Sequence, residues 1–165
     1  MIYGMKVDLP IGQVSILETD GYISHLLLDQ AQLNKLLNKG IKIRFKETEL
    51  LQQAIFQLQE YFDGIRTNFT VPIKQKGTPF QENVWEALSL IPYGESRSYS
   101  DIALQIGKPA AVRAIGQANK CNQLPVFVPC HRVIGKNSSL TGYAGQKTDQ
   151  KAILLKHENI LFKEK

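Results

Sequence analysis

Cys130 lies in the run Pro125-Val126-Phe127-Val128-Pro129-Cys130-His131-Arg132-Val133-Ile134, which reads as a short buried strand ending at a proline, with two basic side chains directly after the cysteine. The thiolate is the sulfur nucleophile, and the basic neighbours His131 and Arg132 favour that charged form. Other readings of the same residues stand beside it. Cysteine is among the residue types most often buried for packing alone, which is how Cys121 reads. Cys121, Cys130, His131 and His157 are four possible zinc ligands, but no Cys-x-x-Cys or His-x-x-x-His pair exists. Adjacent side chains such as Cys130 and His131 rarely reach one ion, so no metal is expected. A cysteine protease would need a histidine and an Asn or Asp partner, which Asn122 formally supplies, yet that reading leaves the basic helical segment described next without a use. His25 stands alone on an expected strand and reads as a surface or core histidine.

Positive charge collects around this cysteine. The chain has 165 residues, with 20 Lys plus Arg against 15 Asp plus Glu, a formal net charge of +5. Between Ser96 and Lys136, Arg97, Lys108, Arg113, Lys120, Arg132 and Lys136 are opposed by Asp101 alone. Such a patch attracts a polyanion by counterion release, and a solvated basic face is the alternative.

The elements around the patch follow from periodicity. Ser98 and Asp101 have capping-box spacing, Ile102, Ala103 and Ile106 supply a short apolar face, and Gly107 ends it. A second helix is expected from Pro109 through Asn119, after a turn of only Gly107-Lys108. Two short helices joined by a tight glycine turn in the most basic part of the chain read as a helix-turn-helix. Ala110, Ala111, Ala114, Gly116 and Ala118 leave the second helix nearly bare, and Arg113 is the long side chain of its first turns. Such a helix packs tightly in a core or approaches a surface closely. A lone guanidinium on it can lie over a phosphate backbone or enter a base stack.

Upstream, Thr78, Pro79 and Gln81 mark a helix start, with Phe80, Val84, Leu88 and Ile91 as its apolar stripe. The first third alternates as a meander: Ile2 to Val7, Val14 to Glu18, an Asp20-Gly21 hairpin signal and Tyr22 to Leu28. Glu47 to Phe62 has helical spacing closed by Gly64, and Thr67 to Gly77 reads as an extended linker. The expected fold is α/β (α+β): a small amino-terminal antiparallel sheet with helices over residues 1–76, then a mainly helical, winged-helix-like domain carrying the helix-turn-helix over residues 77–165. Composition, at 43% hydrophobic and 21% charged, argues for a folded chain. Met1 to Pro10 has no apolar signal core, no run approaches the roughly 20 apolar residues of a membrane span, and two cysteines make no disulfide scaffold. A cytoplasmic protein without membrane contact is the expectation.

From Phe80 onward the sequence resembles the O6-alkylguanine-DNA alkyltransferase family. The blocks that carry the resemblance are Phe80-Gln81 with Val84-Trp85, Pro92-Tyr93-Gly94, Ser98-Tyr99, Ala-Val-Arg-Ala at 111–114, Asn122, Pro125, Pro-Cys-His-Arg-Val at 129–133, Gly142-Tyr143-Ala144-Gly145 and Leu154-Leu155-Lys156-His157-Glu158. The amino-terminal unit resembles the family only in its strand-then-helix plan. The resemblance implies a repair protein that turns O6-alkylguanine, with O4-alkylthymine left open, out of duplex DNA and moves the alkyl group to Cys130 once per molecule. It implies His131 as acceptor of the thiol proton through a water, Glu158 as the group that holds and polarises that histidine, and Asn122 as the brace of the cysteine turn. Tyr99 would donate to the leaving base. The backbone carbonyls of Cys130 and Val133 and the Ala144 amide would read the base, between walls of Tyr143 and Pro125. Arg113 would fill the gap left by the extruded nucleotide, with Ala111, Val112 and Gly116 in the minor groove, while Lys108 and Lys120 lie in the basic patch that would contact phosphates. No cofactor is implied, and the partner is double-stranded DNA containing alkylated guanine, met by a monomer with cooperative binding left open.

Three departures from the family pattern stand out: Gln146 where a second glycine is usual, Cys121 for a frequent glycine, and Gln123 for a frequent proline. The spacing from Tyr143 to Glu158 is about one residue long. A damage sensor without chemistry and a helix-turn-helix regulator are the competing functions. Cys130 speaks against the first, and the alanine-rich second helix offers few groups for major-groove readout by the second.

Overall fold

The computed structural model describes residues 1–135 and 148–163, which form two compact units, Met1–Gln75 and Lys76–Lys165. In the first, alternating apolar residues build strands β1 (Ile2–Leu9), β2 (Gly12–Thr19) and β3 (Tyr22–Leu27), joined by tight turns into an antiparallel meander. Helix α1 (Gln30–Asn38) then starts at Asp29, whose side chain accepts from Gln32 N–H. It returns the chain so that β4 (Ile43–Phe45) joins the far side of β1 in parallel, giving the order β3-β2-β1-β4. The sheet is therefore mixed rather than purely antiparallel, because a helical crossover restores strand direction where a hairpin reverses it.

Side-chain alternation puts this sheet between two helices. Leu17 and Leu27 pack with Leu33 of α1 on one face, joined by Ile2, Leu36 and Ile43. Ile16 and Leu26, of opposite parity and likewise buried, point to the other face. Helix α2 (Glu49–Phe62) packs against β1, β2 and β3 and buries Leu51, Ala54, Leu58 and Tyr61. Residues 67–77 are not a free linker. Val71 is buried, Ile23 N–H donates to Pro72 O, Lys74 N–H donates to Ile23 O, and Gln57 holds both the backbone N–H and the hydroxyl of Thr70. The segment lies beside β3 because an edge strand offers unpaired N–H and C=O groups.

The second unit opens with α3 (Pro79–Ser89), where Thr78 and Gln81 complete a reciprocal capping box around Pro79. A second such box, Ser98 with Asp101, starts α4 (Tyr99–Gln105) directly after the two-residue strand β5 (Arg97–Ser98). Gly107, at φ +75°, stops α4: its N–H reaches Leu104 O and the Lys108 N–H reaches Ala103 O, a C-terminal glycine motif. Helix α5 runs from Val112 to Lys120 rather than from Pro109. Pro109 disfavours the helical conformation of Lys108, and residues 108–111 close a turn through Ala111 N–H to Lys108 O. The connection between the two helices is thus longer than Gly107-Lys108. Trp85 ties α3 to α5 by donating its indole N–H to Ala118 O at 2.9 Å.

Residues 124–128 form no strand beyond a single bridge between Pro125 and Val128. They make a buried turn, with Val128 N–H donating to Leu124 O at 2.8 Å, and they feed a single 3-10 turn, Cys130–Arg132. Strand β6 (Val133–Ile134) follows and pairs in parallel with β5, and α6 (Thr148–His157) is the last helix among the described residues. Among the described residues no helix is long and apolar enough to cross a membrane.

Candidate active site

The Cys130 side chain is fully buried, as is that of His131 beside it. What fixes the turn is a carboxylate. Glu158, one residue beyond α6, is buried and accepts from four donors: His131 Nε2 at 2.7 Å, Arg132 Nε at 2.8 Å, a second Arg132 nitrogen at 3.1 Å and the Gly94 N–H at 3.1 Å. A buried carboxylate is tolerated only when paired and hydrogen-bonded. The Pro92-Tyr93-Gly94 turn contributes the backbone donor and stacks the Tyr93 ring against the Arg132 guanidinium, 5.7 Å from its centroid. Arg132 also donates to Ile91 O at 2.7 Å. The guanidinium two residues after Cys130 is therefore committed to Glu158 and the Ile91 carbonyl and not to the sulfur.

The histidine's protonation follows from this geometry. Paired to Arg132, Glu158 is an acceptor only, so the hydrogen on Nε2 points at it and a neutral ring keeps its lone pair on Nδ1. Burial pushes the imidazole below its ordinary value, outweighing the opposite pull of Glu158.

Ahead of the cysteine, Asn122 spans the turn, its Nδ2 donating to Val128 O at 2.9 Å and its Oδ1 accepting from Leu124 N–H at 3.1 Å. Between them Val126 sits at φ +75°, a left-handed conformation that costs a branched residue on the order of 1–3 kcal/mol. Pro125 is buried in the same turn. The β5–β6 pairing sets Arg97 opposite Val133, which places Tyr99, the first residue of α4, two positions along the same strand-to-helix path. Tyr99 is half-buried, and its ring lies 3.9 Å from where a Cβ on Gly116 would stand, so Gly116 faces α4. Val112 and Arg113 at the start of α5 are exposed, as is Lys108, while Ala111 and Lys120 are half-buried. Tyr143 and Ala144 lie outside the described residues, as do Lys136, Gly142, Gly145 and Gln146 of the sequence reading. Among the described residues no group of three or more His, Cys, Asp or Glu side chains could hold a metal ion.

Two residues that sequence reasoning passed over touch the site. Asn119 of α5 is fully buried and donates from Nδ2 to Cys130 O at 3.4 Å, with its Oδ1 lacking a partner among the described residues. Lys151 of α6 is fully buried and donates to Val133 O at 2.6 Å. Burial lowers its pKa to about 8, and the nearby Cys130 acts in the raising direction.

This arrangement is a cysteine followed by a buried histidine that a paired carboxylate fixes, and it has relatives. Residues 79–160 match the family described as 6-O-methylguanine DNA methyltransferase, DNA binding domain, and residues 1–75 match the ribonuclease-like domain of the same protein. The constitutive methylated-DNA–protein-cysteine methyltransferase of Bacillus subtilis is 55% identical over 165 residues, all of both chains. The chain belongs to the 6-O-methylguanine DNA methyltransferase family. The Mycobacterium bovis methylated-DNA–protein-cysteine methyltransferase is 40% identical over 93% of this chain and 91% of its own. The crystal structure of Mycobacterium tuberculosis OGT in complex with DNA superposes with a TM-score of 0.84 at 39% identity, covering 94% of this chain and 92% of the other.

Two outcomes follow from the charges. Glu158→Gln strands Arg132 in a buried position and should lower unfolding stability by about 3–5 kcal/mol; a denaturant titration showing less than about 1 kcal/mol would remove the ion pair from its role. Lys151 titrates near 8 when folded against an ordinary 10.5, so the unfolded chain binds the extra proton between those values and stability should climb with pH there. Lys151→Met should flatten that alkaline rise; parallel curves would show that the lysine is not held charged at a cost.

Proposed function

We propose that this chain repairs DNA by direct reversal, transferring an alkyl group from O6 of guanine in duplex DNA irreversibly to Cys130. The observation that carries this is the buried Glu158–His131 pair adjoining the cysteine, in a chain whose family members are named for this transfer. The thiol proton passes through a water to His131 Nδ1, while Glu158 holds Nε2 and stabilises the charge that forms on the ring. The thiolate then attacks the alkyl carbon, the carbon–sulfur bond forms as the bond to O6 breaks, and the electron pair leaves with the guanine. Tyr99 donates to the base as that negative charge develops. The product thioether is not cleaved again, so each molecule reacts once.

The base must reach a sulfur that is buried, which needs the nucleotide out of the stack and the covering side chains displaced. The carbonyls proposed to read its amino group already accept hydrogen bonds: Cys130 O from Val133 N–H and Asn119, and Val133 O from Lys151. A carbonyl has two lone pairs, so Val133 O retains one for the base, while the long Asn119 contact at Cys130 O must yield to it. Pro125, Tyr143 and the Ala144 amide complete the pocket. Exposed Arg113 enters the duplex in place of the extruded base, with Ala111, Val112 and Gly116 on the minor-groove side, and Lys108 and Lys120 contact phosphates. The protein acts as a monomer.

Intact-mass measurement after incubation with O6-methylguanine duplex should show one added methyl group, located on the Cys130 peptide. Cys130→Ser should bind the same duplex and gain no mass; a methylated Cys130→Ser protein would end the proposal. Arg113→Ala should slow transfer from duplex far more than transfer from a free alkylated base, and equal slowing of both would show that Arg113 takes no part in extrusion.

A further inference from the structure

Lys151 has no part in the chemistry above, yet α6 carries its side chain wholly out of solvent, where lysine is almost never found without a charge partner. Its ammonium donates to Val133 O at 2.6 Å, and Val133 closes the 3-10 turn by donating its own N–H to Cys130 O. The positive charge is thus anchored to the turn that bears the sulfur. The charged and titratable groups around it fall into two sets. Arg132 is neutralised by both oxygens of Glu158, and His131 is held against the same carboxylate. Among the described groups, Cys130 is the one whose negative charge acts on this ammonium, in the direction that favours the charged lysine.

We propose that Lys151 is a positioning residue for alkyl transfer, its buried ammonium supplying the positive charge against which the Cys130 thiolate forms. Among the described residues the charges then pair as Arg132 with Glu158 and Lys151 with the thiolate, beside a resting His131 that is neutral. The thiol proton leaves by way of water and His131, and no other bond changes in this step. A charge anchored at the Val133 carbonyl, in the turn that bears the sulfur, also explains a cost that a methionine of equal length would avoid. The proposal rests on reading Cys130 as the alkyl acceptor.

The test uses protein in which Cys121, exposed and not buried for packing as its sequence context suggests, is replaced by serine, so that Cys130 alone reports. Ultraviolet thiolate absorbance is followed against pH with Lys151 present and in Lys151→Met. The substitution should raise the thiol midpoint by about one pH unit or more and slow transfer from O6-methylguanine duplex at neutral pH about tenfold, with the two rates converging as pH rises. A folded Lys151→Met protein with an unmoved midpoint overturns the proposal. Should the substitution unfold the chain, Lys151 itself is titrated by NMR, in isotope-labelled protein, before and after iodoacetamide caps Cys130. Capping removes the negative partner, so the lysine midpoint should fall, and an unchanged midpoint overturns the proposal equally. A thiol midpoint that depends on Lys151 in a protein that transfers nothing from alkylated duplex would leave the lysine's effect standing and sink the alkyl-transfer reading instead.

Discussion

A carboxylate out of water must be matched donor for donor, and the second unit is arranged around that requirement at Glu158. Arg132 neutralises it, and His131 of the same turn and Gly94 from a remote turn complete its shell. The order Cys-His-Arg is what a single 3-10 turn needs to aim two successive side chains at one acceptor and leave the preceding one beside them. The Pro92-Tyr93-Gly94 turn is held for the same reason, since it contributes a backbone donor and an aromatic face to the guanidinium. Removing any one donor leaves the others facing an undersatisfied charge.

The turn before the cysteine is strained and is held from α5. Val126 adopts a left-handed backbone that Asn122 fastens on both sides, and Asn119, one helical turn earlier, reaches the Cys130 carbonyl. The helix that displays Arg113 at its start therefore ends on residues that set the cysteine turn.

Local signals were legible where they were strong and short in range. Both capping boxes, the hairpin glycines, the α2 periodicity and the pairing of a cysteine with a histidine in one run could be read directly. The signal failed where tertiary context outweighed it. Helix α1 has only Leu33 buried, too little stripe to stand out, and β4 is three residues long. Residues 67–77 resemble a linker because edge pairing uses backbone atoms, which leave no side-chain pattern. The apolar run before Cys130 reads as a strand, but Asn122 folds it into a turn. Lys151 reads as an ordinary solvated helix lysine unless its i+3 and i+4 spacing to Leu154 and Leu155 is followed, which puts it on the buried stripe of α6.

What the sequence determined alone is the inventory: one cysteine flanked by a histidine, a bare basic helix behind a glycine stop, and the capping boxes that start α3 and α4, because these act over three or four residues. Only the tertiary structure decided which charges meet. It assigned Arg132 to Glu158 instead of to the sulfur, set the hydrogen of His131 on Nε2, and brought Lys151 to the carbonyl of Val133, since a charge taken out of water must find a partner that only the folded chain brings near.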